Sequence, residues 1–351
     1  MFTFIESILV CCVSLFLFFC TSILFKRIGI VDKPDGVRKI HEGEVPLSGG
    51  LAFFISFLII SFFIDRYFVE GAIGEQQVRQ VLFISIIILF LGLWDDVKPL
   101  PTSVRLIVQI FASWLVIIIT DVYVLNLGDL LGFGNIYLGS AGIPLTIFMV
   151  VGVCNAFNMI DGMDGSAGIV LLVLTTAIST ITYLNNAQGI LFFTPIITIV
   201  FLFFNLGWLG KKWKIFLGDS GSTWIGFFTA WSLIIMSQGE MKIFQPVSAL
   251  WFVLVPLIDA LSTFLSRIWN RKSMFVADRS HIHHMLLDAG LKRGVVLLII
   301  LFISVISAGF GIFANLNSVP ESEQFYGFLT IWFFYYLLVK YPLVKKHVKR
   351  L

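Results

Sequence analysis

The stretch GIPLTIFMVVGVCNAFNMIDGMDG, residues 142–165, joins a long apolar segment to a dense group of polar side chains. The apolar part has no charge and no alternation of apolar and polar residues, which indicates a helix rather than a barrel strand. The polar part places Asn155, Asn158, Asp161 and Asp164 at intervals of three residues. The fold therefore depends on apolar helices, and polar residues collect where this helix ends.

The whole chain has the composition of a membrane protein. Of its 351 residues, 58% are hydrophobic and 13% are charged, and the mean hydropathy is +0.96. About 20 consecutive apolar residues cross a bilayer as a helix. We find about eleven such segments, at roughly 3–25, 47–65, 79–94, 104–123, 142–158, 166–184, 189–206, 220–237, 246–268, 294–315 and 324–342. This pattern predicts an all-α polytopic membrane protein, with residues 1–351 forming a single domain.

The basic residues predict the orientation of these helices. If the loops alternate between the two sides, all but three of the 24 Lys and Arg residues fall on one side, the exceptions being Arg66, Arg79 and Lys242. The positive-inside rule then predicts an external N-terminus and a cytoplasmic C-terminus. The net charge of +3 is explained by this topology and by attraction to anionic lipids, so we expect no nucleic-acid partner.

Two adjacent carboxylates, Asp95 and Asp96, follow the third apolar segment, and Arg105 lies nearby at the start of the next. Adjacent carboxylates raise each other's pKa unless a cation compensates them. This pattern fits either a functional pair or a solvated pair that ends a helix.

The array from Asn155 to Asp164 offers oxygen ligands, and Gly162 and Gly165 let backbone N–H groups approach a ligand. Such ligands suit Mg²⁺, which takes one or two carboxylates together with substrate phosphates. The alternative is a polar helix terminus capped by Asn and Asp.

Two further clusters lie on the same predicted side. Asp219 stands between Gly218 and Gly221 just before an apolar segment, a position that suits either a metal and phosphate site or a plain N-cap. Three histidines, His281, His283 and His284, follow Arg279. Their spacing matches no structural zinc site, so we expect them to donate hydrogen bonds to phosphate or sugar oxygens.

These motifs together resemble one family. WDDVKP (94–99), NAFNMIDGMDG (155–165), FLGDSGS (216–222) and DRSHIHH (278–284) occur in the order typical of the polyprenyl-phosphate N-acetylhexosamine-1-phosphate transferases. The His-Ile-His-His form and the segment RKIH (38–41) resemble the bacterial WecA-type branch, whereas the MraY branch has consecutive histidines. The resemblance covers essentially the whole chain.

The resemblance implies a magnesium-dependent enzyme of the bacterial inner membrane. Undecaprenyl phosphate would attack the β-phosphorus of UDP-GlcNAc, releasing UMP and leaving undecaprenyl-pyrophosphoryl-GlcNAc for a surface polysaccharide such as lipopolysaccharide O-antigen. The expected cofactor is Mg²⁺, with Mn²⁺ as the alternative. The expected partners are UDP-GlcNAc, undecaprenyl phosphate, membrane lipids and, as an assembly, a homodimer.

The resemblance also implies residue roles on the cytoplasmic loops. Asn158 and Asp219 match the metal ligands, and Asp95 or Asp96 matches the acid that deprotonates the lipid phosphate. Asp161 joins this catalytic group without a single assigned role. The residues expected to bind substrate are Asp164 at the uracil, Arg105 near the phosphates, and Arg279, His281, His283 and His284 at the sugar and pyrophosphate. Asn155, from the polar array before Asp164, is expected to bind substrate as well.

Three alternatives stay open at this point. A sister enzyme could use another UDP-HexNAc, such as UDP-FucNAc, UDP-QuiNAc or UDP-MurNAc-pentapeptide. A two-step route through a phospho-aspartate could replace direct attack, which we favour because a lipid phosphate is already ionised near neutral pH. A secondary transporter is the rival from another class, although transporters bind near the bilayer midplane between related halves, and this chain has no visible repeat.

Overall fold

The computed structural model describes residues 4–34, 43–64, 75–185, 190–239, 242–269, 271 and 281–337. These residues are mostly helical. The helices are α1 (Phe4–Ile28), α2 (Gly49–Ile64), α3 (Glu75–Ile84), α4 (Ile86–Val97), α5 (Thr102–Thr120), α6 (Gly142–Ile160), α7 (Ser166–Leu184), α8 (Thr194–Asn205), α9 (Gly218–Ser237), α10 (Ser248–Phe252), α11 (Leu254–Trp269), α12 (Ile282–Asp288), α13 (Arg293–Leu316) and α14 (Glu321–Tyr335).

Each apolar segment predicted from the sequence overlaps one of these helices or a consecutive pair. Among the described residues, six helical spans are long and apolar enough to cross a membrane, namely Phe4–Ile28, Gln76–Val97, Thr102–Thr120, Gly139–Ile160, Ser166–Leu184 and Arg293–Leu316. Shorter apolar helices accompany them. The protein is therefore a helical, multi-pass membrane protein, while the count of eleven crossings and their orientation stay predictions.

Two predicted segments are each divided into two helices. Between α3 and α4, the Ser85 hydroxyl donates to the Leu82 carbonyl oxygen and accepts a hydrogen bond from the Trp224 indole. Between α10 and α11 the division falls at Val253, and Pro256 lies in the first turn of α11. Proline has no N–H to donate and fits best in a first turn, so the chain restarts its helix there.

Helix α9 lies at the centre of the molecule, because every residue from Ser220 to Ser237 is buried. Neighbouring helices approach it closely through glycines. A Cβ on Gly226 would lie 2.6 Å from the Cα of Cys154 in α6, and one on Gly92 of α4 would lie 2.6 Å from the backbone nitrogen of Ser220. Small residues let membrane helices pack backbone to backbone, and this close packing holds the start of α9 firmly.

A short antiparallel hairpin supports the segment that precedes α9. Its strands are β1 (Val31–Asp32) and β2 (Val45–Pro46). The carbonyl oxygen of Pro46 accepts a hydrogen bond from the N–H of Phe216, and the N–H groups of Gly49 and Gly50 donate to the carbonyl oxygens of Phe216 and Leu217. The backbone just before Asp219 is therefore attached to the beginning of α2.

Candidate active site

The end of α4 meets the beginning of α9 through Asp96. The Oδ1 atom of Asp96 accepts a hydrogen bond from the Asp219 backbone nitrogen at 2.7 Å, and Oδ2 accepts one from Ser220 at 3.1 Å. Gly218 has a φ of +77°, and a Cβ there would lie 2.7 Å from Asp96 Oδ2. A carboxylate at a helix N-terminus satisfies free N–H groups and interacts favourably with the helix dipole. Asp96 thus caps α9 and holds Asp219.

Asp219 also contacts the end of α6. The Nδ2 atom of Asn158 donates to Asp219 Oδ1 at 2.6 Å and to Ser222 Oγ at 3.0 Å. The amide oxygen of Asn158 takes no part in these two bonds. The two residues predicted as metal ligands, 61 positions apart in the sequence, are therefore neighbours in space.

Asp161 follows α6 and lies in a field of negative charge. Burial raises the pKa of Asp161 well above its ordinary value, and nearby carboxylates raise it further. In decreasing order of effect, these carboxylates belong to Asp219, Asp164 and Asp96. The four acids predicted on three separate segments therefore form one cluster, and its excess negative charge favours a cation.

Asp164 lies at the edge of this cluster with two cationic side chains. Lys214 Nζ is 2.6 Å from Asp164 Oδ2, and Arg293 Nη1 is 3.8 Å from the same oxygen. Lys214 also lies over the Phe216 ring, 5.1 Å from its centroid. Sequence reasoning missed Lys214 and Arg293, because each was counted as a topological charge and neither stands in a recognised motif.

The histidines of α12 lie against the turn that carries Asp161 and Asp164. The His283 side chain is fully buried, its ring centroid is 4.2 Å from that of His284, and a Cβ on Gly162 would overlap the His283 ring. Glycine at position 162 is therefore required for this close approach. Arg279, predicted to join these histidines, lies outside the described residues.

His281 is bound to a residue that the sequence analysis did not select. Its Nδ1 atom is 2.8 Å from Oδ2 of Asp259, a buried residue of α11. A signal for Asp259 was present in the sequence, because it is the only acid within the apolar segment 246–268. Ionisable residues at membrane depth are rare and usually functional.

Asp95 and Arg105 pair with each other. Asp95 Oδ2 accepts from Arg105 Nη1 at 3.0 Å, and Oδ1 accepts from the Leu100 backbone nitrogen at 2.6 Å. These bonds close the turn between α4 and α5. Asp95 and Asp96, either of which was predicted to deprotonate the lipid phosphate, therefore have different surroundings. Asp96 belongs to the carboxylate cluster, whereas Asp95 pairs with Arg105.

Asn155 is directed toward α5. Its Nδ2 atom donates to the Val151 carbonyl oxygen at 2.7 Å and to Gln109 Oε1 at 3.3 Å. A polar contact of this kind joins neighbouring membrane helices. An α-helix turns about 300° over three residues, so Asn155 and Asn158, although three residues apart, face different neighbours.

The comparisons with known proteins agree with the motifs. Residues 78–237 match the family model described as glycosyl transferase family 4. The undecaprenyl-phosphate alpha-N-acetylglucosaminyl 1-phosphate transferase of Escherichia coli strain K12 is 32% identical over 342 residues, which cover 96% of this chain and 91% of that protein. The protein of the same name from Haemophilus influenzae is 35% identical over 315 residues, covering 88% and 86%.

These matches confirm the resemblance inferred from the motifs. Relatives from distinct bacteria share about one third of their residues with this chain, over most of both lengths. The chain belongs to glycosyl transferase family 4.

Proposed function

We propose that this protein transfers N-acetylglucosamine 1-phosphate from UDP-GlcNAc to undecaprenyl phosphate. A phosphate oxygen of the lipid attacks the β-phosphorus, the bond from that phosphorus to the bridging oxygen breaks, and UMP leaves with the bond electrons. The observation that carries this proposal is the carboxylate cluster around Asp219, held between Asp96 and Asn158 at the ends of apolar helices. The names of the relatives supply the acceptor, undecaprenyl phosphate, and the transferred group, N-acetylglucosamine 1-phosphate, while UDP as the carrier of that group is part of our proposal.

The chemistry of the cluster fits a divalent cation. The described residues contain no group of three or more His, Cys, Asp or Glu side chains arranged to hold a metal ion by themselves. Mg²⁺ commonly takes one or two carboxylates and completes its coordination with water and substrate phosphates. We therefore propose Asn158 and Asp219 as ligands of Mg²⁺, with Mn²⁺ as the alternative, because several carboxylates lie close together around Asp219 and a cation would compensate their charge. When bound, the cation would neutralise charge on the diphosphate.

The protein's own residues supply position and positive charge. Phosphoryl transfer depends mainly on alignment and electrostatic stabilisation. Lys214 and Arg293, next to Asp164, are cations at the edge of the cluster that a diphosphate could contact. His283 and His284 lie against Gly162 in the same turn and, with His281, can donate hydrogen bonds to the sugar or the pyrophosphate.

The surroundings of Asp96 favour direct attack by the lipid phosphate. Both of its carboxylate oxygens accept backbone hydrogen bonds, which lowers their nucleophilicity and fixes their orientation. A covalent phospho-aspartate at this position would disrupt the cap of α9. We propose that Asp96 orients Asp219 and accepts a proton when the lipid phosphate arrives protonated.

The location follows from the same argument. Because the acceptor is a lipid and the donor is a nucleotide, we propose that the cluster faces the cytoplasm at the bacterial inner membrane. The product would then supply a surface polysaccharide.

Purified protein in detergent, incubated with undecaprenyl phosphate, radiolabelled UDP-GlcNAc and Mg²⁺, tests the proposal. We expect equimolar UMP release and label in lipid, both abolished by EDTA and by Asp219→Ala. Asp121→Asn is the control and should retain activity. It removes an exposed carboxylate directly after α5, at the end of that helix opposite to Arg105. Transfer with another UDP-HexNAc alone would overturn the sugar, and no transfer with any donor would overturn the proposed function.

A further inference from the structure

Asp259 joins three elements of the protein. It lies in α11 with 2% of its surface exposed. His281 Nδ1 is 2.8 Å from its Oδ2, while Oδ1 accepts hydrogen bonds from the Ile282 backbone nitrogen at 3.1 Å and from the Tyr335 hydroxyl at 2.8 Å. A buried carboxylate is costly unless hydrogen bonds compensate it, so Asp259 holds these three groups of the described part of the chain together.

We infer that Asp259 is a positioning residue that keeps the proton of the His281 imidazole on Nδ1, so that Nε2 is the ring nitrogen left for the substrate. A ring nitrogen next to a carboxylate must carry a proton to form a hydrogen bond, so the partner determines the tautomer. The catalytic meaning of this inference rests on the proposed function, in which His281, together with His283 and His284, contacts the sugar or pyrophosphate.

The same carboxylate determines where α12 begins. His281 is the residue preceding α12, and Ile282 is its first residue. By accepting the Ile282 N–H, Asp259 satisfies one of the free N–H groups at the start of the helix. His283 lies one residue further on, against Gly162 in the turn that carries Asp161. A shift of His281 would therefore move the histidines relative to the carboxylate cluster.

A second contact between α11 and α14 provides a matched control. One turn from Asp259, the Ser262 hydroxyl accepts a hydrogen bond from the Trp332 indole at 3.0 Å, and Trp332 is one turn from Tyr335. Removing the Ser262 hydroxyl weakens the packing of α14 on α11 without touching Asp259, and removing the Tyr335 hydroxyl takes a donor from Oδ1 but leaves Oδ2, the acceptor of His281, in place. Ser262→Ala and Tyr335→Phe therefore separate helix packing from the control of His281.

The distribution of donors predicts the effect of Asp259→Asn. Among the contacts of the described residues given above, two donors reach Oδ1 and His281 reaches Oδ2, so the amide oxygen should take the place of Oδ1 and the NH₂ group should face His281. His281 Nδ1 must then accept a hydrogen bond, and the proton moves to Nε2.

Nitrogen-15 NMR of histidine-labelled protein in lipid bilayers tests this directly, with His281→Gln used to assign the signal. We expect a protonated Nδ1 in the wild type, Ser262→Ala and Tyr335→Phe, and an unprotonated Nδ1 in Asp259→Asn. An unprotonated Nδ1 in the wild type overturns the inference, whether or not the variants fold. An unchanged tautomer in Asp259→Asn also overturns it.

Kinetics give the second readout. Asp259→Asn removes the carboxylate that orients His281, so it should lower kcat/KM for UDP-GlcNAc by about 10- to 100-fold. Ser262→Ala should keep a kcat/KM close to that of the wild type. An equal loss of kcat/KM in Asp259→Asn and Ser262→Ala would indicate that only the packing of α14 on α11 matters, and it would overturn the inference. If wild-type protein transfers no sugar while the NMR result holds, the proposed function fails and the control of His281 by Asp259 stands.

Discussion

At the scale of single residues, Asp161 is the side chain most affected by its surroundings. Burial and neighbouring carboxylates raise its pKa, so the folded protein favours its protonated form. The contribution of protonated Asp161 to the stability of the fold is fully present below the ordinary Asp pKa of about 3.9. It is lost as the pH rises through the raised pKa of Asp161 in the folded protein. Above that value, the ionised Asp161 destabilises the fold.

We therefore expect metal-free Asp161→Asn to melt about 1 to 2 °C higher than the wild type at pH 8, as for a change of about 1 kcal/mol in a protein of 351 residues. The difference should shrink at pH 5, and Mg²⁺ should stabilise the wild type more than the variant. Thermal unfolding in detergent, followed by intrinsic fluorescence, measures both effects. A variant that melts lower than the wild type at pH 8 would contradict the electrostatic explanation.

The neighbours Asp95 and Asp96 should respond differently to substitution. Asp96→Asn places an NH₂ group against a backbone N–H of α9, so turnover should fall by about 10² or more while UDP-GlcNAc binding stays nearly intact. Steady-state kinetics and calorimetric binding separate the two quantities. Parallel loss of binding and turnover would exclude this role for Asp96.

Asp95 and Arg105 form one unit. Asp95→Asn should lower the free energy of unfolding by about 1 to 3 kcal/mol, since Asp95 is buried and Arg105 is partly exposed. Arg105→Ala should lower it similarly, and the double variant should lose less than the sum. Chemical denaturation of the three variants measures the coupling, and strict additivity would show that the pair contributes nothing.

At the scale of elements, the site consists of helix ends held by glycine contacts. A Cβ at Gly92 would meet the backbone of Ser220 at the start of α9, where the neighbouring atoms are not a flexible side chain. Asp96 lies one turn further along α4 and caps that same start. Close packing and the cap thus depend on the same helix crossing.

Gly92→Ala should separate α4 from α9 and lower both thermal stability and turnover, the latter by at least about 10-fold, as misplacement of about 1 Å at a reacting centre does. Gly152→Ala is the matched control, because nothing lies within 4 Å of a Cβ at that helical position. The control should be neutral or slightly stabilising, given the better helix propensity of alanine. Equal effects of the two substitutions would contradict the importance of this crossing.

At the scale of the whole molecule, orientation decides which solution reaches the site. The Lys and Arg distribution predicts that the loop 124–141 is external and that the loop 207–219 is cytoplasmic. Asn135 and Leu209 are exposed residues of these loops.

In a cysteine-free background, we expect a membrane-impermeant maleimide to label Asn135→Cys in intact spheroplasts and Leu209→Cys only after permeabilisation. The four native cysteines are replaced so that each protein has a single target. Labelling in the reverse pattern would invert the orientation and place the carboxylate cluster outside.

The sequence by itself determined the class of protein, the approximate helices and the segments that carry the chemistry. Hydropathy and motifs are local properties, so runs such as 142–158 and clusters such as Asn158 to Asp164 can be recognised without knowing their neighbours. The family could be recognised for the same reason, because its motifs keep their order along the chain.

The tertiary structure alone decided the partners of these residues. Asp96 and Asp219 are 123 positions apart, and nothing local states that one caps the helix of the other. It also separated Asp95 from Asp96, turned Asn155 toward α5 and brought Asp259 to His281. These contacts depend on how helices cross in three dimensions, and a helix crossing is determined by packing between distant segments.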